Sequence, residues 1–319
     1  MKLVQILMST YNGALYLREQ MDSILNQDCE ERGTARLRLL IRDDGSTDDT
    51  QQILEEYVEK YPGRVAWYQG ENQGVVGSFF DLLEKSQGQA DYVGFADQDD
   101  YWLPEKVRIG VECLEREDSL SPNLYCCRCT LVDEGLEELE SGIRRPPMRP
   151  GFANALVENI VAGCTILMNR TLRDFIVEER PKYTVMHDWW CYLVASCFGS
   201  VIYDEDSYIL YRQHGKNAVG FHVSRWRELL GRIKRYRGNR GNISRQMGEF
   251  LRIYYRKVPA VPERKGKSSE TENIRLVRKL LHGKKSFAVR WKLVCRGEVY
   301  RQRKMDNRIF KVILLLGSY

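Results

Sequence analysis

The stretch GFADQDDYW (residues 94–102) follows an apolar run and places three aspartates, Asp97, Asp99 and Asp100, within four positions. Carboxylates this close repel one another, and burying them unpaired costs on the order of several kcal/mol. The stretch is therefore either a solvated turn or a place where something positive binds. The segments around it in the sequence decide between these two interpretations.

Short apolar runs alternate with helix-like stretches over the first 130 residues. Strands are predicted at 3–8, 37–42, 65–69 and 92–96, and helices at 15–26, 46–61 and 76–86 and from Pro104 onward. Several of the strand runs are continuously apolar, which is typical of strands covered on both faces. The pattern predicts an α/β fold with a mostly parallel central sheet flanked by helices.

Three of the predicted strands end in polar clusters: STYNG (9–13), RDDGSTD (42–48) and ADQDD (96–100). A single cluster of this kind is common in turns. In an open α/β sheet, however, ligands bind beyond the carboxyl ends of the strands, so three such clusters favour one shared binding site.

The chemistry of these clusters favours a nucleoside diphosphate bound through a metal ion. Closely spaced carboxylates suit a hard divalent cation, Mg²⁺ or Mn²⁺, that bridges phosphate oxygens. Tyr11 can offer its ring face to a base, and Asp44 can accept a hydrogen bond from a base imide. Neither GxGxxG after the first strand nor GxxxxGK[ST] is present, which argues against dinucleotide and P-loop sites.

The composition predicts a globular protein without a membrane span. The 319 residues are 43% hydrophobic and 29% charged, and no stretch approaches the roughly 18–20 apolar residues that cross a bilayer. The short apolar start lacks a signal-peptide cleavage site, so we expect a cytoplasmic protein. Nine cysteines, an odd number, indicate reduced thiols, and YCCRC (125–129) is predicted to be a core strand rather than a zinc site.

Charge divides the chain into two regions. Residues 1–220 hold 22 Lys and Arg against 37 Asp and Glu, a balance of −15, whereas residues 221–319 hold 27 against 7, a balance of +20. Such a division predicts two regions with different partners.

Six motifs taken together resemble family 2 glycosyltransferases of the GT-A fold. They are ILMSTYNG (6–13), LIRDDGSTDDT (40–50), ENQGVVGSF (71–79), ADQDDYWLPEKV (96–107), MHDWW (186–190) and LYRQHGKN (210–217). Within that family the sequence is most similar to bacterial rhamnosyltransferases of cell-wall or capsular polysaccharide synthesis. The resemblance implies a catalytic domain at 1–220, with a donor half at 1–132 and an acceptor half at 133–220, followed by a basic amphipathic helical region at 221–319.

The resemblance also implies roles for particular residues. Tyr11 would stack on the pyrimidine of the donor and Asp44 would hydrogen-bond it. Asp99 would bind Mg²⁺ or Mn²⁺ directly, and His214 would be a metal ligand, a leaving-group donor or a structural hydrogen-bonding residue. The remaining donor-binding positions would be Ser9, Thr10, Asn12, Asp43, Asp97 and Arg212.

Asp188 of MHDWW is the catalytic base that the resemblance implies. The preceding residue, His187, departs from the acidic residue that is common in the family at this position. An ionised carboxylate can accept the proton of an acceptor hydroxyl as the new bond forms. The alternative is that Asp188 only caps the helix that follows it.

The expected reaction is an inverting sugar transfer from dTDP-L-rhamnose to a lipid-linked glycan, with a UDP-hexose as the alternative donor. A nucleic-acid-binding protein is the rival class, prompted by the basic tail. The tail lacks a recognised motif, and the acidic first region would repel phosphate backbones, so no nucleic acid is expected as a partner. A homo-oligomer is left open.

The basic region is expected to dock on an anionic membrane surface, because its apolar residues recur at spacings of three and four. The alternative is that these stripes pack on the catalytic domain or on a second subunit. The apolar positions are Trp226, Leu229, Leu230, Ile233, Tyr236, Phe250, Leu251, Ile253, Tyr254, Tyr255 and the run VILLL (312–316), beside Arg308 and Lys311.

Overall fold

The predicted alternation of strands and helices is confirmed in a computed structural model, which describes residues 1–86, 88, 90–139, 146–214, 241–255 and 270–319. The strands are β1 (Lys2–Thr10), β2 (Ala35–Asp43), β3 (Val65–Gln69), β4 (Tyr92–Ala96), β5 (Tyr101–Trp102), β6 (Asn123–Val132), β7 (Leu167–Asn169) and β8 (Ser200–Arg212). The helices are α1 (Leu17–Leu25), α2 (Thr50–Lys60), α3 (Gly74–Lys85), α4 (Lys106–Leu114), α5 (Phe152–Ala155), α6 (Arg170–Val177), α7 (His187–Phe198), α8 (Asn242–Tyr254), α9 (Glu270–Gly283), α10 (Phe287–Arg296) and α11 (Lys304–Leu315), with a 3-10 turn at Gly163–Thr165.

One sheet with strand order β3-β2-β1-β4-β7-β6-β8-β5 forms the centre of the fold. The pairs β1–β2, β1–β4, β2–β3 and β6–β8 are parallel, and β4–β7, β6–β7 and β5–β8 are antiparallel. All five residues of β4 are buried, and the strand lies in the interior of the sheet between β1, which is parallel to it, and β7, which is antiparallel. The YCCRC segment lies in β6, and all nine cysteines are free thiols.

The described residues fall into two compact units. The first comprises residues within 1–147, 161–180 and 199–214, and it contains the whole sheet with α1–α4 and α6. The second comprises residues within 148–160, 181–198 and 241–319, and it is helical. Two short stretches that the sequence places in the catalytic domain therefore group with the C-terminal helices.

The second unit has an aromatic core between α7 and α8. Phe250 of α8 lies 4.9 Å from Tyr254 and 6.0 Å from Trp190, ring centre to ring centre. Phe250, Ile253 and Tyr254 are buried, so the prediction that they face a membrane is wrong for these three residues. The amphipathic pattern of α8 predicts an apolar face, and in the structure that face packs against other helices of the second unit, among them α7.

The predicted apolar positions from Trp226 to Tyr236 lie outside the described residues. Within the described ranges, none of the helices is both long enough and apolar enough to cross a bilayer.

Candidate active site

The three polar clusters meet at one edge of the sheet, because β1, β2 and β4 run parallel. Thr10 at the end of β1 is in register with Asp43 at the end of β2. On the other side of β1, Met8 is in register with Ala96, the last residue of β4. The loops that carry STYNG, RDDGSTD and ADQDD therefore leave neighbouring strands side by side, as predicted from the sequence.

Tyr11 presents its ring to solvent while its backbone is held on both sides by one side chain. The residue as a whole is 49% exposed. The Tyr11 N–H donates to Oε1 of Gln98 over 2.9 Å, and Nε2 of Gln98 donates to the Tyr11 carbonyl over 3.2 Å. A Cβ at Gly13 would lie 2.2 Å from Oε1 of Gln98, so a larger residue there would displace the Gln98 amide from the Tyr11 backbone. Gln98 was not predicted as a site residue, although it lies between the aspartates of the motif.

Asn12, predicted to bind the donor, fixes the turn after β1. Its φ is +49°, in the left-handed region that Asn tolerates better than most residues. Its Oδ1 accepts from the Thr47 N–H over 2.8 Å, and its own N–H donates to Oγ of Ser46 over 2.9 Å. The amide therefore joins the first loop to the second, and a contact with the donor stays a prediction.

Ser9 and Thr10 also bond to neighbouring elements. The Ser9 hydroxyl lies 2.6 Å from the hydroxyl of Ser78 in α3. The Thr10 hydroxyl donates to Oδ1 of Asp43 over 3.3 Å. These contacts connect β1 to α3 and β2, and the predicted role of Ser9 and Thr10 in donor binding stays a prediction.

Asp43 is buried and accepts hydrogen bonds from residues of the turn between β2 and α2 and of α2. Its Oδ2 accepts from the Ser46 N–H over 3.1 Å and from Nε2 of Gln51 over 2.8 Å. The carboxylate thus fixes the turn between β2 and α2, and its predicted role in donor binding stays a prediction.

Asp44 is buried against a fully buried arginine. Its two oxygens accept the N–H groups of Gln73 and Gly74 at the start of α3, each over 2.9 Å, and one of them also pairs with Arg42. Arg42 in turn donates Nε to Asp81 over 3.0 Å. Both oxygens of Asp44 already accept hydrogen bonds from the protein, and these bonds give no support to a contact with the base. That contact stays a prediction.

Asp99 and His214 are brought together by the ends of β4 and β8. Nε2 of His214 lies 2.8 Å from Oδ2 of Asp99, with both side chains mostly buried. The His214 ring lies 5.2 Å from the ring of Tyr16. The two residues predicted to bind the metal are thus adjacent.

Arg212 is buried and hydrogen-bonds to the loop that carries Asp99. Its Nε donates to the Asp99 carbonyl over 3.0 Å, its backbone N–H donates to Oδ1 of Asp100 over 3.2 Å, and its remaining nitrogens bond to Glu19 and to the Glu134 carbonyl. Its guanidinium also stacks on Tyr16. The structure therefore assigns Arg212 to protein acceptors, and its predicted contact with the diphosphate stays a prediction.

The carboxylates of the motif fit a divalent cation. Oδ2 of buried Asp100 makes no hydrogen bond within the described ranges. Burial and repulsion from Asp97 and Asp99 raise the pKa of Asp100, so a positive charge nearby would be favourable. The ligand atoms of Asp97, Asp100 and Cys164 lie within 4.8 Å of one another. That set contains neither Asp99 nor His214, so their assignment as ligands stays a prediction.

Asp188 lies in the first turn of α7, in the second unit, and is buried. Its Oδ1 accepts the N–H of Trp189 over 2.6 Å, and the indole of Trp189 donates to the Ala155 carbonyl over 2.6 Å. Burial lowers the pKa of neighbouring His187 to about 3, so this imidazole is neutral at working pH. The candidate base therefore sits on a helix start that is fixed by packing against α5.

Comparisons with known proteins identify the family. Residues 5–180 match the model of glycosyl transferase family 2, which is more than half of the chain. The chain is 28% identical over 227 residues to the dTDP-rhamnosyl transferase RfbG of Shigella flexneri, covering 68% of this chain and 75% of that protein. A match to a glycosyltransferase of Rickettsia typhi has 27% identity and spans 66% of this chain and 64% of the relative.

Solved structures show the same fold at low sequence identity. S. aureus TarS 1–349 in complex with UDP-GlcNAc has a TM-score of 0.53 and 16% identity, covering 100% of this chain and 93% of that one. The mannosyltransferase PcManGT from Pyrobaculum calidifontis, in complex with GDP-Man and Mn²⁺, has a TM-score of 0.54 and 17% identity over 91% of this chain and 71% of that one. The fold is therefore of the GT-A type, and the chain belongs to glycosyl transferase family 2.

Proposed function

We propose that this glycosyltransferase moves L-rhamnose from dTDP-L-rhamnose to a hydroxyl of a lipid-linked glycan in cell-wall or capsular polysaccharide synthesis, with inversion at the anomeric carbon. The observation that carries the proposal is the meeting of three polar strand ends around the Asp99–His214 pair. Similarity to the rhamnosyl transferase of Shigella flexneri supports the choice of donor.

The donor lies, in this proposal, across the carboxyl ends of β1, β2 and β4. The exposed side chain of Tyr11 offers a stacking face for the pyrimidine, and Gln98 fixes the backbone from which that side chain extends. Holding the donor in one geometry lowers the activation free energy of sugar transfer, because its translational and rotational freedom is already lost on binding.

The diphosphate is placed next to Asp99 and His214, which would hold Mg²⁺ or Mn²⁺ with the help of Asp97. A bound ion supplies positive charge that stabilises the leaving diphosphate. Arg212 keeps the Asp99 backbone and the Asp100 carboxylate in position from below. Mn²⁺ in the structure of the mannosyltransferase PcManGT, which has the same fold, supports the choice of a divalent ion.

The proton of the acceptor hydroxyl goes to Asp188. As a carboxylate at the start of α7, Asp188 accepts that proton as the acceptor oxygen attacks the anomeric carbon. Because neighbouring His187 is neutral, no imidazolium charge competes for the carboxylate. The bond from the anomeric carbon to the diphosphate breaks as the new bond forms, so no covalent enzyme intermediate is needed.

A panel of nucleotide sugars tests the donor. The purified chain is titrated with dTDP-L-rhamnose, UDP-glucose, UDP-galactose, UDP-GlcNAc and GDP-mannose in the presence of MnCl₂, and binding is followed by calorimetry. We expect dTDP-L-rhamnose to bind tightest. Tighter binding of a UDP-hexose would show that the donor is a UDP-hexose and not dTDP-L-rhamnose, with the reaction class unchanged. If no nucleotide sugar binds, the proposal is contradicted.

A further inference from the structure

The last two helices expose an unusual amount of apolar surface. Among the described residues, several large apolar side chains that solvent reaches lie close together in the sequence between 287 and 316. They are Phe287, Trp291, Met305, Ile309, Val312 and Leu316, which together we call the α10–α11 face.

On α11 these side chains form one narrow stripe. Met305, Ile309, Val312 and Leu316 are spaced by four, three and four residues, which places them within an arc of about 60° on an α-helix. Phe310 lies on the opposite side and is buried. An ordinary surface helix has one apolar face, so α11 carries a second one that the described part of the chain does not cover.

On α10 the two aromatic residues also share a face. Phe287 and Trp291 are four residues apart, and their rings stack with centres 6.3 Å apart. Arg290 fixes this helix, because it donates Nε to the Leu315 carbonyl and Nη1 to the Gly283 carbonyl, each over 2.8 Å. The exposed aromatic pair is therefore presented on an anchored helix.

The surroundings of this face are strongly basic. Residues 284–311 hold ten Lys and Arg against two Asp and Glu. Lys304, Arg308 and Lys311 lie along one flank of the α11 stripe. One of the two acidic residues, Glu298, already pairs with Lys279. A partner of this face must therefore be both apolar and negatively charged.

We propose that the α10–α11 face docks on a lipid bilayer surface that carries anionic headgroups. The apolar stripe would enter the boundary between headgroups and acyl chains, and the basic flank would bind the headgroup charge. A second copy of the chain is the weaker candidate, because it would bring the same positive charge to the interface. This docking is independent of the sugar-transfer proposal, since it rests on residues outside the candidate active site.

Flotation with vesicles tests the docking. The full chain is mixed with vesicles of phosphatidylcholine alone or of phosphatidylcholine with phosphatidylglycerol, at low and at high salt. We expect flotation only with phosphatidylglycerol, and weaker flotation at high salt. Equal flotation with both vesicle types, or none with either, would overturn the proposal.

Two variants locate the contact. Replacing Ile309, Val312 and Leu316 together by Ser should weaken flotation at least about tenfold, because it removes apolar side chains that would enter the boundary between headgroups and acyl chains. A matched control replaces Leu120 and Leu139, exposed leucines of the first unit, by Ser and should float like the unmodified chain. Unchanged flotation of the triple variant would assign membrane binding elsewhere and overturn the proposal.

A third variant, which removes charge, and a mass measurement complete the test. Replacing Lys304, Arg308 and Lys311 by Gln leaves the apolar stripe intact and should weaken flotation at low salt and reduce the salt dependence of binding. If the triple Ser variant fails to fold, this charge variant decides: flotation unchanged at both salt concentrations would overturn the proposal. Light scattering measures the mass in solution. If the unmodified chain is a dimer that does not float, and only the triple Ser variant is a monomer, the face binds a second copy and the proposal is overturned.

Discussion

Nε2 of His214 lies 2.8 Å from Oδ2 of Asp99, although 115 residues separate them in the sequence. The pair joins the loop after β4 to the end of β8, and Arg212 bonds to the backbone of Asp99 from the same side. Two distant motifs therefore form one polar centre. That centre is where the proposed function places the metal ion and the diphosphate.

Replacing Asp99 by Asn should abolish divalent-dependent donor binding while the protein stays folded. Asn keeps the shape and a hydrogen-bond acceptor, but it removes the negative charge that attracts the ion. Calorimetric titration of Mn²⁺ with dTDP measures the effect. Asp206→Asn, an exposed aspartate of the same unit, is the matched control and should bind normally. Undiminished Mn²⁺-dependent binding by Asp99→Asn would remove the metal assignment.

Gln98 is predicted to act as a positioning residue for Tyr11. Replacing Gln98 by Ala removes two hydrogen bonds to the Tyr11 backbone, and at about 0.5–1.5 kcal/mol each this should raise the donor KM about tenfold. The kcat should change much less, because the base is untouched. An equal loss in kcat with an unchanged KM would contradict this role.

Gly13 supplies a second test of the same contact. Gly13→Ala should weaken donor binding, because its Cβ would lie 2.2 Å from Oε1 of Gln98. In the Gln98→Ala background the obstructing atom is absent, so the further cost of Gly13→Ala should largely disappear. Purely additive effects of the two substitutions on KM would show that the two residues act independently.

Asp188→Asn should lower kcat by about 10²–10⁴ without weakening donor binding, since removal of a general base costs a factor of this size. The Asn oxygen can still accept the Trp189 N–H, so the start of α7 should stay intact. Steady-state rates and calorimetric donor affinity separate the two effects. A collapse of donor affinity would make Asp188 a donor ligand rather than the base.

His187 should make the fold sensitive to acid. Burial lowers its pKa to about 3, against about 6.5 in an unfolded chain. Between these values the unfolded state binds the extra proton, so the free energy of unfolding falls as the pH falls, by at most about 1.4 kcal/mol per pH unit. Denaturant unfolding at pH 5, 6 and 7 should show a steeper fall for the native chain than for His187→Gln. Parallel pH profiles would contradict the buried neutral state.

The core of the fold was predictable from local pattern, because apolar runs of strand length alternate with helical stretches, and the carboxyl ends of neighbouring parallel strands lie at one edge of a sheet. The strands β5 and β7 were not predicted, since segments of two and three residues carry no periodicity. The contact between Arg212 and Glu19 spans 193 residues and depends on packing that no motif records. The apolar residues from Phe250 to Tyr254 show the same limit. Their spacing predicts an apolar helix face, but it does not predict which surface packs against that face.

The central claim is that the chain moves a sugar from a nucleoside diphosphate to a lipid-linked hydroxyl. The most direct measurement incubates the purified protein with dTDP-L-rhamnose labelled in the sugar, Mn²⁺ and a bacterial lipid extract, and counts label in the organic phase against dTDP released. We predict equal amounts of both, with loss of transfer on chelation of the metal and in Asp188→Asn. Absence of both products, with dTDP-L-rhamnose and with every labelled UDP-hexose, would contradict the account.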